Sequence, residues 1–323
     1  MTEKLRSQGV SYSEIDEDLA GQRLDNFLLT RLKGVPRSHI YQLIRSGQVR
    51  VNSGRTQPKY RLKAGDKVRV PPVRRRAPAA APGTGEGLDW LAERIIFEDN
   101  RLLVVDKPAG LAVHGGSGLD FGLIEGLRSL RPASKTLELV HRLDRGTSGC
   151  ILVAKKRSAL RQLHALIREG AMTKRYLALV EGRWEHGVVE IDTPLRVGRD
   201  AGGGARVRPD AEGKPSISEF RLVEQFGPTA SLVEVEIRTG RTHQIRVHAA
   251  SAGHPVAGDD RYGSPPFNAA MEAVGLRRIF LHAHLIEFVW PESEEDFVIS
   301  APLPRELNEV LNRLVPPRRR KGR

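Results

Sequence analysis

The stretch PPVRRRAPAAAPGTGEG, from Pro71 to Gly87, constrains the fold of this chain most. Its prolines fix φ and remove backbone donors, its glycines add conformational freedom, and its apolar residues follow neither a helical nor a strand period. It reads as a linker, dividing the 323 residues into a short arm and a remainder of ordinary domain size. We expect a module over residues 20–72, a linker over 73–88, a main domain over 89–317 and a basic tail over 318–323. Each domain must bury its own apolar surface.

Ahead of the linker, GQRLDNFLLTRL (21–32) spaces Leu24, Phe27, Leu28 and Leu32 at helical intervals. A second helix follows Pro36, carried by Ile40, Leu43 and Ile44 and ended by Gly47. The segments QVRVNSGRT and GDKVRVPP then read as short strands, with a turn at Asn52-Ser53-Gly54. Arg37, Ser38, His39, Gln42 and Arg45 surround the apolar positions of the second helix, and Arg50 and Asn52 follow on the hairpin. One face is core and the other basic, which suits either a solvated surface or a track for a polyanion.

Charge bears on those two uses without deciding between them, since a basic surplus also serves solubility. Residues 1–80 hold 17 Lys and Arg against 7 Asp and Glu, and the tail RRRKGR adds five more cations. Everything between carries 30 basic against 32 acidic residues, so the net charge of +13 is localised. A localised surplus is what phosphate contacts require, because each one displaces condensed counterions. The single Cys150 excludes a disulfide framework and any Cys-x-x-Cys zinc site. No apolar run approaches the roughly 20 residues of a membrane helix, and MTEKLRSQGV has no signal-peptide core. A cytoplasmic protein of bacterial type is expected.

Beyond the linker, strands are expected at 94–99, 102–108, 150–156, 175–182, 218–226, 231–239, 285–290 and 297–302. Helices are expected at 119–130, 158–170, 242–253 and 303–315. Strands outnumber helices and do not alternate with them, which predicts an α+β fold on a mixed, mainly antiparallel sheet. Neither phosphate-binding glycine fingerprint is present. The segment 200–216, DAGGGARVRPDAEGKPS, reads either as a flexible hairpin or loop able to touch a nucleic acid or as an ordinary exposed loop, with the ordinary loop preferred.

Three stretches carry candidate chemistry. HRLDRGTSG (141–149) puts Asp144 on a loop between two buried apolar runs, where scaffolds commonly present reactive groups. The bland alternative is a turn or a surface ion pair. Arg142 and Arg145 on either side are expected to keep the carboxylate ionised, ready as nucleophile or base. In TGRTHQIRVHAASAG, a helix lets Arg246 emerge from an apolar surface; a buried arginine needs a carboxylate, and Asp144 is the expected partner. His243, His248, His282 and His284 lack metal-site spacing, so no metal is expected. In KRYLALVEG, Tyr176 heads a strand, as core or as a platform for an unstacked base.

Together KPAGLAVHGG (107–116), HRLDRGTSG, KRYLALVEG, GRTHQIRVH (240–248) and FLHAHL (280–285) resemble the motifs of the large-subunit-type ribosomal RNA pseudouridine synthases. Residues 20–72 resemble the small RNA-binding module first known from ribosomal protein S-four. The resemblance implies a catalytic domain over 89–317 that isomerises uridine in large-subunit ribosomal RNA, free or in a pre-ribosomal particle. It implies Asp144 as nucleophile, Arg246 as its partner and Tyr176 stacked on the base and serving the proton step. Leu281 would pack against the base, Arg142 would fill the gap left by a flipped nucleotide, and Arg145 and His243 would also bind substrate. Arg37, Ser38, Arg45, Arg50 and Asn52 would contact RNA. The isomerisation needs a nucleophile or base and a closed pocket, but no metal or cofactor. Asp144 can begin it by attacking the sugar, attacking the ring or taking a ribose proton. A monomer is the default expectation. Other classes remain: an RNA-binding assembly factor with a catalytically silent platform, or a base-removing glycosylase.

Overall fold

A computed structural model describes residues 9–315, except 18, 33–34, 74–87, 116–120, 135, 186 and 200–204. The linker expected over 73–88 lies outside the described residues apart from its two ends, and the tail expected over 318–323 lies wholly outside them. Residues up to Gly87 and most of those from Leu88 onward form two compact units.

The first unit runs β1 (Ser11–Glu14), α1 (Leu24–Arg31), α2 (Arg37–Arg45), β2 (Arg50–Val51) and β3 (Lys67–Val70). Its sheet is antiparallel in the order β1-β3-β2. Leu24, Leu28, Ile40, Ile44 and Val68 form one core beneath it, as the helical spacing predicts. Asn52 and Ser53 both adopt positive φ at the hairpin turn, a conformation that asparagine tolerates better than most residues.

The second unit opens with α3 (Asp89–Ala92), β4 (Ile95–Glu98), β5 (Leu102–Lys107), α4 (Leu123–Leu130), β6 (Glu138–Leu139), β7 (Ser148–Ala154), α5 (Arg157–Glu169) and β8 (Met172–Glu181). It continues with β9 (Val188–Asp192), β10 (Leu195–Arg199), β11 (Ala205–Pro209), β12 (Ile217–Phe226), β13 (Ala230–Ile237) and α6 (Gln244–Ser251). It closes with α7 (Pro265–Ala273), β14 (Leu281–Val289), β15 (Asp296–Ser300) and α8 (Arg305–Leu314). The main sheet runs β4-β5-β7-β14-β8-β13-β12-β9, with β6 on β7 and β15 on β14. Among the described strands, β7 and β14 pair in parallel and the rest antiparallel, so the sheet is mixed and mainly antiparallel.

Alternation explains the continuous apolar runs of β5 and β7. Leu103, Val105, Ile151 and Val153 enter one core, while Leu102, Val104, Cys150 and Leu152 enter another on the opposite face. The first of these cores also holds Leu143, Tyr176, Ile237, Ile245 and Leu281, so it floors the candidate site.

The segment 200–216 departs from the preferred reading as an exposed loop. Residues 200–204 lie outside the described ones, but β11 pairs with β10 from Leu195↔Pro209 to Arg199↔Ala205. Val207 is buried against Leu195 and Val247 of α6, and its amide donates to Tyr262 Oη at 2.9 Å. Val207 is buried between the exposed Arg206 and Arg208, and one apolar position is too little alternation to mark a strand in the sequence. The sequence reading also lacks β9, an edge strand with alternating exposure, and α7, which Pro265 and Pro266 open at its first turn.

Candidate active site

Asp144 stands on the loop between β6 and β7, in a turn closed by the Thr147 amide on the Asp144 carbonyl at 3.1 Å. The loop is fastened at both ends. On one side, Gly110 and Arg145 exchange two bonds of 2.8 Å, from the Gly110 amide to the Arg145 carbonyl and from Arg145 Nε to the Gly110 carbonyl. Lys107, fully buried, adds its ammonium to the carbonyls of Pro108, Leu111 and Arg145 at 2.9, 3.0 and 3.3 Å. Burial, with the Arg278 charge, brings that ammonium down to about 8, against the pull of Asp144 and Asp106.

On the other side, Ser148 Oγ and His282 Nδ1 are 2.9 Å apart, and His282 Nε2 donates to the Ala301 carbonyl at 3.1 Å. With Nε2 carrying the proton, Nδ1 accepts from Ser148, whose oxygen in turn accepts from Arg278 Nη2 at 3.1 Å. Burial pushes His282 down to about 4, so the imidazole is neutral. Gly149, at φ +108°, lets β7 meet β14: a Cβ there would lie 2.1 Å from the Ala283 carbonyl oxygen. Thus the Thr-Ser-Gly that follows the aspartate supplies the turn, the anchor and the close approach.

The second part of the site comes from α6. His243 caps the helix with φ +54° and its Nδ1 sits 2.9 Å from Tyr262 Oη. Its Nε2 and the Nη1 of Arg246 each lie 3.9 Å from the same Asp144 oxygen. Arg246 gives its fork to Asp259, through Nε at 2.7 Å and Nη2 at 2.6 Å, and lies over the Tyr262 ring at 5.1 Å. Burial alone would raise Asp259, but the Arg246 fork and the amides of Tyr262 and Arg261 outweigh it and hold the carboxyl low. For His243, burial outweighs the attraction of Asp144 and lowers it.

These groups border a cleft of about 500 Å³ that opens to solvent. Arg142, Asp144, Tyr176, His243, Arg246 and Leu281, distant in sequence, all line it. Asp144 is 21% exposed, so it faces a cleft and not bulk water. Tyr176 is buried, which, with the nearby Asp144 charge, holds its phenol neutral.

Two expectations are corrected. Arg142 and Arg145 do not pin Asp144: both are exposed, and among the described residues its ion pairs come from His243 and Arg246. Arg145 does not line the cleft but turns back onto Gly110, because successive loop residues diverge. The expected pairing of Arg246 with Asp144 is present at 3.9 Å, and Arg246 has in addition a bidentate partner, Asp259. The sequence signal for Asp259 and Tyr262 was GDDRYG: Gly258 has φ +71° and a Cβ there would fall 2.3 Å from the Arg278 carbonyl oxygen.

In the first unit, Arg37 and Ser38 open α2 and Arg45 ends it; the side chain of Arg37 lies outside the described residues. Ser38 borders one depression with His39 and Gln42, whereas Arg50 and Asn52 border another with Lys67, Arg69 and the 68% exposed Tyr12. Asn52 is a turn residue: its Nδ2 donates to Asp66 at 2.8 Å and its Oδ1 accepts from the Lys67 amide at 2.8 Å. Among the described residues no group of three or more His, Cys, Asp or Glu is arranged to hold a metal, and no helix is long and apolar enough to cross a membrane.

Residues 101–251 match the family described as RNA pseudouridylate synthase, and residues 22–68 match the S4 domain. The chain is 51% identical to ribosomal large subunit pseudouridine synthase C of Pasteurella multocida (strain Pm70) over 97% of its own length and 96% of that protein. The chain belongs to the pseudouridine synthase family. A synthase of the same name from Escherichia coli (strain K12) is 50% identical over 96% of this chain and 98% of that one. The solved human RNA pseudouridylate synthase domain containing 4 shares the fold, with a TM-score of 0.58 at 24% identity over 70% of this synthase and 95% of that chain. This pseudouridine synthase therefore pairs an S4 domain with a catalytic fold of mixed, mainly antiparallel sheet.

Proposed function

We propose that this synthase converts uridines of large-subunit ribosomal RNA to pseudouridine as a monomer, with Asp144 as nucleophile on a uridine turned out of the RNA. The printed names of its relatives support the RNA class. The observation that carries the mechanism is one Asp144 oxygen at 3.9 Å from Arg246 Nη1, in a cleft also walled by Tyr176 and Leu281. The atoms balance without an added reactant: the bond from C1′ to N1 breaks, a bond from C1′ to C5 forms, and the C5 proton is lost as N1 gains one.

Each residue has a task in this reading. Arg246, locked by Asp259, faces the Asp144 carboxylate and holds it in place. Tyr176 and Leu281 sandwich the freed uracil so that it turns without leaving, and the Tyr176 phenol serves the proton step. Arg142, exposed at the rim, fills the stack that the uridine vacates, which offsets an unstacking cost of a few kcal/mol. His243 borders the sugar. Residues 20–72 hold RNA backbone through Arg45, Arg50 and their neighbours, joined by the linker over 73–88 to the catalytic part over 89–317.

The test is Asp144→Asn with a large-subunit rRNA fragment and product chromatography. The variant is expected to bind the fragment and form no pseudouridine. Isomerisation that persists in pure variant overturns the nucleophile. Free uracil from the wild type marks a glycosylase, and binding without any product marks a silent platform.

A further inference from the structure

The cleft has a neighbour that the chemistry above does not use. A second cavity, about 1150 Å³ including its mouth, shares Arg142, Tyr176, Ile237, Gly240 and Arg241 with the first. Among the described residues none that lines it is acidic, and Lys174, Arg168 and Arg238 join the shared arginines around it. Lys174 is the unusual member. It is 5% exposed, and among the described residues no carboxylate pairs with its ammonium. Burial alone lowers its ammonium, with no opposing carboxylate.

The two histidines beside it do not serve as its counter-group. His141 Nε2 accepts from the Leu152 amide at 3.2 Å, and burial, followed by the Lys174 charge, pushes it down to about 3. His164 Nε2 donates to the Val140 carbonyl at 3.1 Å, and burial lowers it too. Both stay neutral, and Arg238 is already paired with Glu190 at 3.0 Å. An ammonium so largely buried, with no carboxylate beside it and facing an open cavity, favours an anion in that cavity.

Strand geometry ties this cavity to the first. Lys174 and Tyr176 are two residues apart on β8, hence on one face and about 6.6 Å apart along the strand. That is of the order of the distance between a nucleobase and a phosphate of its own backbone.

We propose that the cavity headed by Lys174 is a phosphate subsite, which takes one RNA backbone phosphate flanking the uridine held in the adjoining cleft. The proposal rests on the uridine reading for the identity of the neighbour, not for the binding of the anion. Lys174 supplies the buried charge, and Arg168 and Arg241 close on the remaining oxygens from the exposed rim. The subsite fixes the backbone while the base is cut and rotated.

The test measures affinity by fluorescence anisotropy at several salt concentrations, for wild type and Lys174→Met, on a large-subunit rRNA stem-loop. Methionine keeps the length of the side chain without its charge, and thermal unfolding checks the fold. Affinity is expected to fall about tenfold, and the slope of log K on log salt to shrink by about one. On the wild type, a neutral methylphosphonate at one phosphate next to the target is expected to cost a similar factor, and in Lys174→Met the same substitution is expected to cost nothing more. Equal affinities and slopes for the two proteins overturn the subsite. If Lys174→Met fails to fold, the wild-type methylphosphonate series decides: no position with a loss overturns it. Product chromatography on the same samples reads isomerisation separately, so a synthase without the subsite and a subsite without the synthase give different results.

Discussion

At the scale of single residues, the site is a chain of charges in which one aspartate is offered to the cleft and another is hidden to support it. Asp259 has a wholly buried side chain and engages Arg246 through two bonds, so the guanidinium cannot swing away from Asp144. Lysine cannot reproduce that fork. Arg246→Lys is expected to lower kcat by at least about a hundredfold, or roughly 2.7 kcal/mol of barrier, with the fold retained; single-turnover isomerisation checks it. Asp259→Ala differs in kind, because it strands a buried cation. It is expected to cost about 3–5 kcal/mol of stability in urea unfolding as well as activity. Asp144 itself was legible in HRLDRGTSG, since loop, flanking apolar runs and charge pointed to it. Its pairing with Arg246 was legible too, since a buried arginine needs a carboxylate, but the ion pair with His243 was not, because that contact is near in space and nothing local marks it.

At the scale of elements, the parallel pairing of β7 with β14 delivers the loop of Asp144 to the sheet. His282 joins the two strands as a neutral imidazole, and its folded value near 4 lies below the ordinary 6.5. Between those values the unfolded chain binds more protons, so this contribution is complete above about pH 6.5 and lost as pH falls toward 4. From pH 6.5 to 4.5 the loss is expected to be about 2 kcal/mol. Urea unfolding at both pH values, for wild type and His282→Gln, checks it: the variant is expected to lose this share of the pH dependence and to keep the share of His141, which burial also lowers. Gly149→Ala would force a Cβ to 2.1 Å from the Ala283 carbonyl oxygen. We expect it to part the strands and cost about 3 kcal/mol or more, read by thermal unfolding. The strands of this sheet were legible because fully buried β5 and β7 leave unbroken apolar runs. The hairpin β10–β11 was not, because arginine and glycine dominate its composition and the burial of Val207 depends on α6.

At the scale of the whole molecule, cationic surplus belongs to the first 80 residues and the tail, while the synthase part is close to neutral. RNA affinity is therefore expected to fall steeply with salt. Replacing Arg50, Lys67 and Arg69 with alanine should reduce the slope of log K on log salt by about two to three, which filter binding across a salt series measures. A slope unchanged by these substitutions would place the backbone contacts elsewhere. The sequence by itself determined the fold class, the family and the aspartate, because hydrophobic period, local charge and short motifs are all properties of neighbours along the chain. The tertiary structure alone decided that Asp259 locks Arg246, that Arg145 turns away from the cleft, and that Lys174 stands buried beside it with no carboxylate partner among the described residues. Those facts depend on contacts between segments far apart in sequence, and no local pattern encodes which distant group a buried charge will meet.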